Sequence, residues 1–199
     1  MKFRAGCVRV GDCRQTMSSI ADRYRDVAAQ FTERVRAVPD GAWENPSPCE
    51  GWTARDVVGH LVEWLSSYFF PTWDIVAVPG PAVAEDPAGA WEALDRTIQS
   101  ALDDPEVAAR ERDTRMGRRR LDESVDQICT PDVLVHTWDL ARATGLDETL
   151  DPGEVHRFVE GMEPYDEMLR TSGHYGPRVA VADDADEQTR LLAFLGRRP

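Results

Sequence analysis

The sequence predicts an all-α protein: an antiparallel four-helix bundle with a short C-terminal helical extension. Three observations predict it. Apolar residues recur at three- and four-residue steps in four long segments. Those segments are bounded by capping residues, prolines and glycines. Alternation of the strand type is confined to one short stretch near the C-terminus. The chain has 199 residues, of which 42% are hydrophobic and 30% charged. That is ample for a buried core within one domain.

The first helix is expected over 17–38. Ile20, Tyr24, Val27, Ala28, Phe31 and Val35 form its apolar face, Ser18 and Ser19 offer caps, and Pro39-Asp40-Gly41 stops it. A loop follows over 43–52, where Pro46, Pro48 and Gly51 break any helix and two tryptophans favour packing down. Thr53-Ala54-Arg55-Asp56 reads as a capping box that opens a second helix over 53–76. Val57, Leu61, Trp64, Leu65, Tyr68 and Thr72 mark its apolar face, with a kink expected at Pro71. A Pro/Gly/Ala linker leads to a third helix over 88–102, carrying Trp91, Leu94, Ile98 and Leu102 in register. The charged stretch 103–120 reads as a loop with a frayed turn. The fourth helix spans 121–144 and ends at Gly145. Beyond it, 152–171 is expected to be helical, 173–184 extended and 186–195 helical.

These elements divide the chain into three parts. Residues 1–16 are expected to be a disordered extension. Residues 17–145 form the bundle, and 146–199 form an extension packed on it. The opening residues are basic but lack an apolar core, so they do not read as a signal peptide. No apolar run reaches the ~20 residues of a membrane span. The formal net charge is −13, with 36 acidic against 23 basic residues. Such a body repels a duplex or an anionic lipid surface, so neither nucleic acid nor membrane is an expected partner. The four cysteines form no CxxC pair, and the expected compartment is the reducing cytoplasm.

The fourth helix carries the chemistry. At about 100° per residue, Asp132 lies about 40° from His136. Val125, Cys129, Val133, Leu140 and Ala143 fall within about 60° of the same direction. Asp132 and His136 therefore project into the bundle, where a carboxylate is costly unless paired or coordinated. An Asp-x-x-x-His pair one turn apart can place an oxygen and an imidazole nitrogen on one ion. His60, at the edge of the second helix's apolar face, can supply a third ligand. Three protein ligands leave positions open, as in catalytic zinc sites, and the same set suits Fe(II).

Other readings stand beside this one. His60 can be a rim histidine bonded to solvent. Thr130-Pro131 can start a helix anew, leaving Asp132 merely at its N-terminus. Asp139 can support a ligand histidine or pair with Arg142 at the surface. His156 and His174 have no partner at ligand spacing. Cys49 and Cys129 can be soft ligands or nucleophiles, with inert burial the commoner fate of Cys129. Arg118-Arg119-Arg120 reads as a solvated patch. No phosphate loop, dinucleotide fingerprint or GxSxG elbow occurs.

The segment Pro46-Ser-Pro-Cys-Glu-Gly-Trp-Thr-Ala-Arg-Asp-Val-Val-Gly-His60-Leu resembles the mycothiol-dependent maleylpyruvate isomerase-like proteins of actinobacteria, within the DinB-like superfamily. So does Asp132-Val-Leu-Val-His136-Thr-Trp-Asp-Leu-Ala-Arg-Ala-Thr-Gly145. The C-terminal Gly176-Pro-Arg-Val and the residues from Asp183 to Arg197 resemble a shorter actinobacterial branch. The resemblance implies a DinB-like bundle holding a divalent metal between helices, with His60, Asp132 and His136 as ligands. It implies zinc or nickel, and the ligand set read above leaves iron as a further alternative. The isomerases carry Glu where this chain has Asp132, and their separate C-terminal thiol-binding domain is replaced here by a shorter tail.

Taken together, the expected activity is thiol-dependent transfer or isomerisation of a small electrophile, with mycothiol or another low-molecular-weight thiol as cofactor. A metal-dependent hydrolase and a non-catalytic metal-binding stress protein are the alternatives. A pocket beside Trp64 and the 43–52 loop is expected to take the small-molecule substrate, and a homodimer is the expected assembly.

Overall fold

The structure is a computed structural model that describes residues 19–114, 117–162 and 176–199. The expected extension at 1–16 and His174 lie outside these residues, as does the far end of the helix expected over 152–171.

Helix α1 (Ile20–Ala37) begins where the Ser19 side chain accepts the Asp22 backbone N–H, and it buries Tyr24, Val27, Ala28, Phe31 and Val35. Helix α2 (Ala54–Trp64) opens on the expected capping box, in which Thr53 and Asp56 each satisfy the other's backbone N–H. Thr53→Ala is expected to lower stability by about 1 kcal/mol in urea titrations. A variant as stable as the parent would contradict that role for the box.

The second helix departs from expectation beyond Trp64. Residues Leu65–Phe69 form a π-helical turn, and the short α3 (Phe70–Thr72) completes the rod. One extra residue per turn rotates everything downstream. Tyr68 is therefore 52% exposed, while Phe69 and Trp73 are buried in the places that a regular helix would assign to Tyr68 and Thr72, and Phe70 is buried beside them. The rod ends at Thr72, short of residue 76, and Asp74 turns the chain with φ 52°.

Helix α4 (Pro87–Asp103) is capped by the Asp86 side chain and buries Trp91, Leu94, Ile98 and Leu102 as expected. The charged stretch then corrects the reading as a loop. After α5 (Pro105–Ala108), strands β1 (Glu111–Thr114) and β2 (Gly117–Arg120) pair as an antiparallel hairpin. Its register sets Glu111 opposite Arg120 and Asp113 opposite Arg118. Cross-strand charge, rather than apolar alternation, marks these strands.

Helix α6 (Leu121–Ser124), a π-helical turn at Val125–Cys129 and α7 (Thr130–Thr144) follow without a break. Gly145 caps α7 with φ 71°. The restart at Thr130-Pro131 is thus no true beginning, because Cys129 before it is helical and caps nothing. Helices α8 (Pro152–Met162) and α9 (Glu187–Phe194) pack on each other, and α8 also touches α7.

Helix α1 packs against α7 and α4, and α2 packs against the same two helices. This closed ring of contacts encloses one apolar core running through all four. The described chain is therefore largely helical with one small hairpin. No helix among the described residues is long and apolar enough to cross a membrane.

Candidate metal centre

Two elements of the ring face each other across the cluster. The last turns of α2 carry His60 and Trp64, and the first turns of α7 carry Asp132 and His136. The structure brings all three sequence-predicted residues together. His136 Nε2 lies 3.4 Å from Asp132 Oδ1, and His60 Nε2 lies 3.6 Å from Asp132 Oδ2. Donor atoms of the three all fall within 4.8 Å of one another. The imidazole rings of His60 and His136 meet edge to face at 4.9 Å.

Both nitrogen–oxygen separations exceed the 2.7–3.2 Å of a good N–H···O bond. They match another geometry. Two donors bound tetrahedrally to one zinc ion at ~2.0–2.2 Å stand roughly 3.3–3.6 Å apart. Two imidazoles and a carboxylate are also a donor set zinc prefers. The residues therefore fit a divalent ion in both spacing and chemistry.

The surrounding groups orient this set. The Trp64 indole Nε1–H donates to Asp132 Oδ2 at 2.8 Å, so the carboxylate is aimed by a neutral donor. His136 Nδ1 lies 3.0 Å from Asp139 Oδ2, which directs Nε2 towards Asp132. Such carboxylate–histidine pairs fix the tautomer of metal-binding imidazoles. Asp139 thus takes the supporting role rather than pairing with Arg142. Arg142 instead reaches Glu148 and the Arg198 carbonyl, and lies over the Trp138 ring. Trp52 covers the cluster, its ring 4.9 Å from that of His60 and 6.0 Å from that of His136.

The Trp52 position follows from local chain geometry. Trp52 N–H donates to the Cys49 carbonyl and Ser47 N–H to the Trp52 carbonyl, closing a tight loop around Gly51 at φ 79°. Asn45 ties that loop to the end of α7 through the Ala143 carbonyl. The loop is folded down, as its tryptophans suggest. Trp43, however, sits under the Arg55 guanidinium, and only Trp52 of the pair lines the cleft, together with Trp64, Phe69 and Trp73.

Electrostatics reinforce the arrangement. Burial disfavours charge on Asp132, but His136 and His60 outweigh it and hold the carboxyl well below the usual range. Burial also opposes charge on Asp139, which His136 and Arg197 nonetheless hold at about 2. For His136, burial works against the imidazolium. The nearby Asp132 carboxylate and the bond to Asp139 win, and the His136 pKa is raised well above the ordinary imidazole value.

A second trio, Cys49, His136 and Asp139, also lies within ligand spacing. A cation is already there: Arg197 Nη2 stands 2.8 Å from Asp139 Oδ2 and 3.6 Å from Cys49 Sγ. The guanidinium supplies the positive charge, so this trio does not compete for an ion. Cys129 is fully buried, and burial pushes its thiol pKa well up, as an inert core thiol requires. His156 is exposed and pairs with Glu187 and Glu160.

The fold and the cluster define a class: a largely helical protein whose central helices present a His–Asp–His set to an aromatic cleft. The comparisons agree with the resemblance read from the motifs. Residues 24–68 match the model of the family described as Mycothiol maleylpyruvate isomerase N-terminal domain. The match contains His60 and stops before Asp132 and His136. Two uncharacterized proteins of Mycobacterium tuberculosis, one from strain CDC 1551 / Oshkosh and one from strain H37Rv, are each 29% identical over 188 residues. Those alignments cover 88% of this chain and 94% of each relative. No solved structure matches.

Proposed function

We propose that this chain is a divalent-metal-binding protein of the DinB-like kind, in which His60, Asp132 and His136 hold zinc, with nickel or iron as alternatives. Helices α1, α2 and α4 and the α6–α7 rod make an antiparallel four-helix bundle over 17–145, and 146–199 is an extension upon it. The protein acts in the cytoplasm on a small electrophilic molecule, as a mycothiol-type thiol-dependent transferase or isomerase. A homodimer is the assembly in keeping with this reading.

The observation that carries the reading is the convergence of two imidazole nitrogens on opposite oxygens of one carboxylate, at 3.4 and 3.6 Å. The likeness of residues 24–68 to a family described as Mycothiol maleylpyruvate isomerase N-terminal domain supports the thiol part of the reading. Held by His60, Asp132 and His136, a divalent ion would favour the thiolate of a low-molecular-weight thiol at neutral pH. The protein's own groups do the rest. Trp64 aims the Asp132 carboxylate, and Asp139 accepts the His136 Nδ1 proton so that Nε2 keeps its lone pair. Trp52 and Trp64 shield the cluster from bulk water and offer flat apolar walls to a substrate. His60 and Asp132 keep 32% and 27% of their side-chain surface open, which leaves a face for exchange.

The test is thiol consumption. Zinc-loaded protein incubated with mycothiol and a panel of electrophiles is expected to consume thiol, and His136→Ala protein is not. No metal-dependent consumption across the panel contradicts the transferase reading and leaves the non-catalytic metal-binding protein.

A pH dependence follows from His136. Its imidazole keeps a proton above the ordinary value without an ion, so zinc must displace that proton near neutrality. Below the raised pKa, zinc affinity is expected to rise about tenfold per pH unit, with about one proton released per ion bound. Calorimetry in buffers of different ionisation enthalpy measures both. Affinity that is flat between about pH 6 and about pH 7.5, with no proton released, contradicts the assignment of His136.

A further inference from the structure

Asp139 is wholly buried, and four contacts converge on its carboxylate. His136 Nδ1 lies 3.0 Å from Oδ2, and the Cys49 thiol donates to the same oxygen at 3.4 Å. Arg197 supplies the other two: Nη2 donates to Oδ2 at 2.8 Å and Nε to Oδ1 at 3.2 Å. Both arms of the guanidinium grip both oxygens, the fork geometry in which Arg orients a carboxylate most strongly.

The backbone of the tail delivers this guanidinium. Leu195, just past the end of α9, is buried. Gly196 then turns the chain at φ 87°, and Arg197 N–H donates back to the Leu192 carbonyl at 2.9 Å. A side chain at Gly196 would place its Cβ 2.9 Å from the Gly176 Cα, so only glycine fits this crossing. The neighbouring Arg198 carbonyl is held by Arg142 of α7 at 3.3 Å. Arg197 is thereby aimed inward and keeps only 13% of its side-chain surface exposed.

We infer that Arg197 is a positioning residue of the metal centre, acting through Asp139 to fix the ring of His136, so that the C-terminal tail completes a site whose ligands lie on α2 and α7. The inference rests on the metal reading above. A ligand imidazole bound through Nε2 carries its proton on Nδ1 and needs an anionic acceptor held in place there. Remove the guanidinium, and Asp139 loses its counter-charge and two of its four contacts in a fully buried position. The carboxylate is then costly where it stands and free to turn from Nδ1. The ring of His136 loses its fixed orientation in consequence. The tail thus takes part in metal binding without contributing a ligand.

The test is zinc affinity of the full chain, measured by competition with a chromophoric chelator. It compares the parent with Arg197→Met, Arg197→Lys, Asp139→Asn and the Asp139→Asn/Arg197→Met double variant. Arg197→Met is expected to bind zinc roughly 10–100-fold more weakly, the cost typical of losing an outer partner of a ligand histidine. Arg197→Lys, which keeps the charge but not the fork, recovers part of that loss. The double variant binds no more weakly than Asp139→Asn alone, because the arginine acts through the aspartate. Nitrogen-15 spectra of the zinc-loaded proteins show the His136 Nδ1 proton protected in the parent and lost in Arg197→Met. Parent-like zinc affinity in Arg197→Met, or a loss that adds fully to that of Asp139→Asn, overturns the inference. If Arg197→Met does not fold, parent-like affinity in Arg197→Lys overturns it equally. Failure of the parent itself to bind zinc overturns the metal reading and this inference together, and so is distinguishable from failure of the inference alone.

Discussion

Replacing His136 with alanine is expected to abolish stoichiometric zinc binding. The side chain is nearly buried and supplies the one ligand nitrogen whose orientation is locked, through Asp139. Without it, His60 and Asp132 remain as two partly exposed donors on separate helices. Two such donors cannot close a site that competes with water. The expected result is a fall from about one equivalent of zinc to under about 0.1 after gel filtration, since the ligand set drops below three. Folding should survive, because Asp139 keeps Arg197 as its counter-ion and Asp132 keeps the Trp64 indole. Circular dichroism of the variant checks this. Full retention of zinc in a folded variant would refute the assignment of His136.

Trp91→Ala is expected to produce the largest loss of stability. Trp91 is wholly buried on α4, and its ring meets Phe31 of α1 edge to face at 4.6 Å. Its indole N–H donates to Thr32 Oγ1 at 2.8 Å, so truncation also removes a hydrogen bond, leaving the hydroxyl only its own bond to the Ala28 carbonyl at 2.8 Å. Large buried aromatics cost roughly 3–5 kcal/mol when truncated to alanine. A domain of this kind holds roughly 5–15 kcal/mol in total, so the loss is a large share of it. Urea denaturation measures it. Trp91 lies in the α1–α4 seam, away from the cluster, so zinc stoichiometry per folded molecule should not change. A cost below about 1 kcal/mol would mean that this seam is not the packed interface described.

These two sites differ in how far the amino-acid sequence discloses them. Trp91 stands in a regular three-four pattern with Leu94, Ile98 and Leu102, and all four are buried. The capping box at Thr53 and the glycine stop at Gly145 are equally plain, because each is a local hydrogen-bonding device. The π-helical turn at Leu65–Phe69 is not, since nothing in the composition announces an inserted residue. Its effect was to exchange Tyr68 and Thr72 for Phe69 and Trp73 in the core. The hairpin at Glu111–Arg120 hides for another reason. Only its first strand alternates in exposure, and neither strand holds an apolar side chain, so hydrophobic period carries no signal. The mirrored charges, Glu111 against Arg120 and Asp113 against Arg118, were the legible trace.

The cluster divides along the same line. Asp132 and His136 are one turn apart on one helix, so their shared direction can be computed from helical geometry alone. His60 comes from another helix, and spacing places it only at an edge. The supporting groups lie further from view. Trp64 reads as an apolar face residue, although its indole N–H is what aims Asp132. Arg197 sits 58 residues from Asp139, at the end of a tail segment whose resemblance to a shorter branch assigns it no role. Such contacts depend on how α9 and its turn dock, which no local pattern encodes.

The most direct test of the central claim is a crystal structure of zinc-loaded protein, prepared without a histidine tag, with anomalous data collected at the zinc edge. One strong peak is expected, with His60 Nε2, His136 Nε2 and an Asp132 carboxylate oxygen each about 2.0–2.2 Å away. A peak bound elsewhere, or none between α2 and α7, would contradict the account.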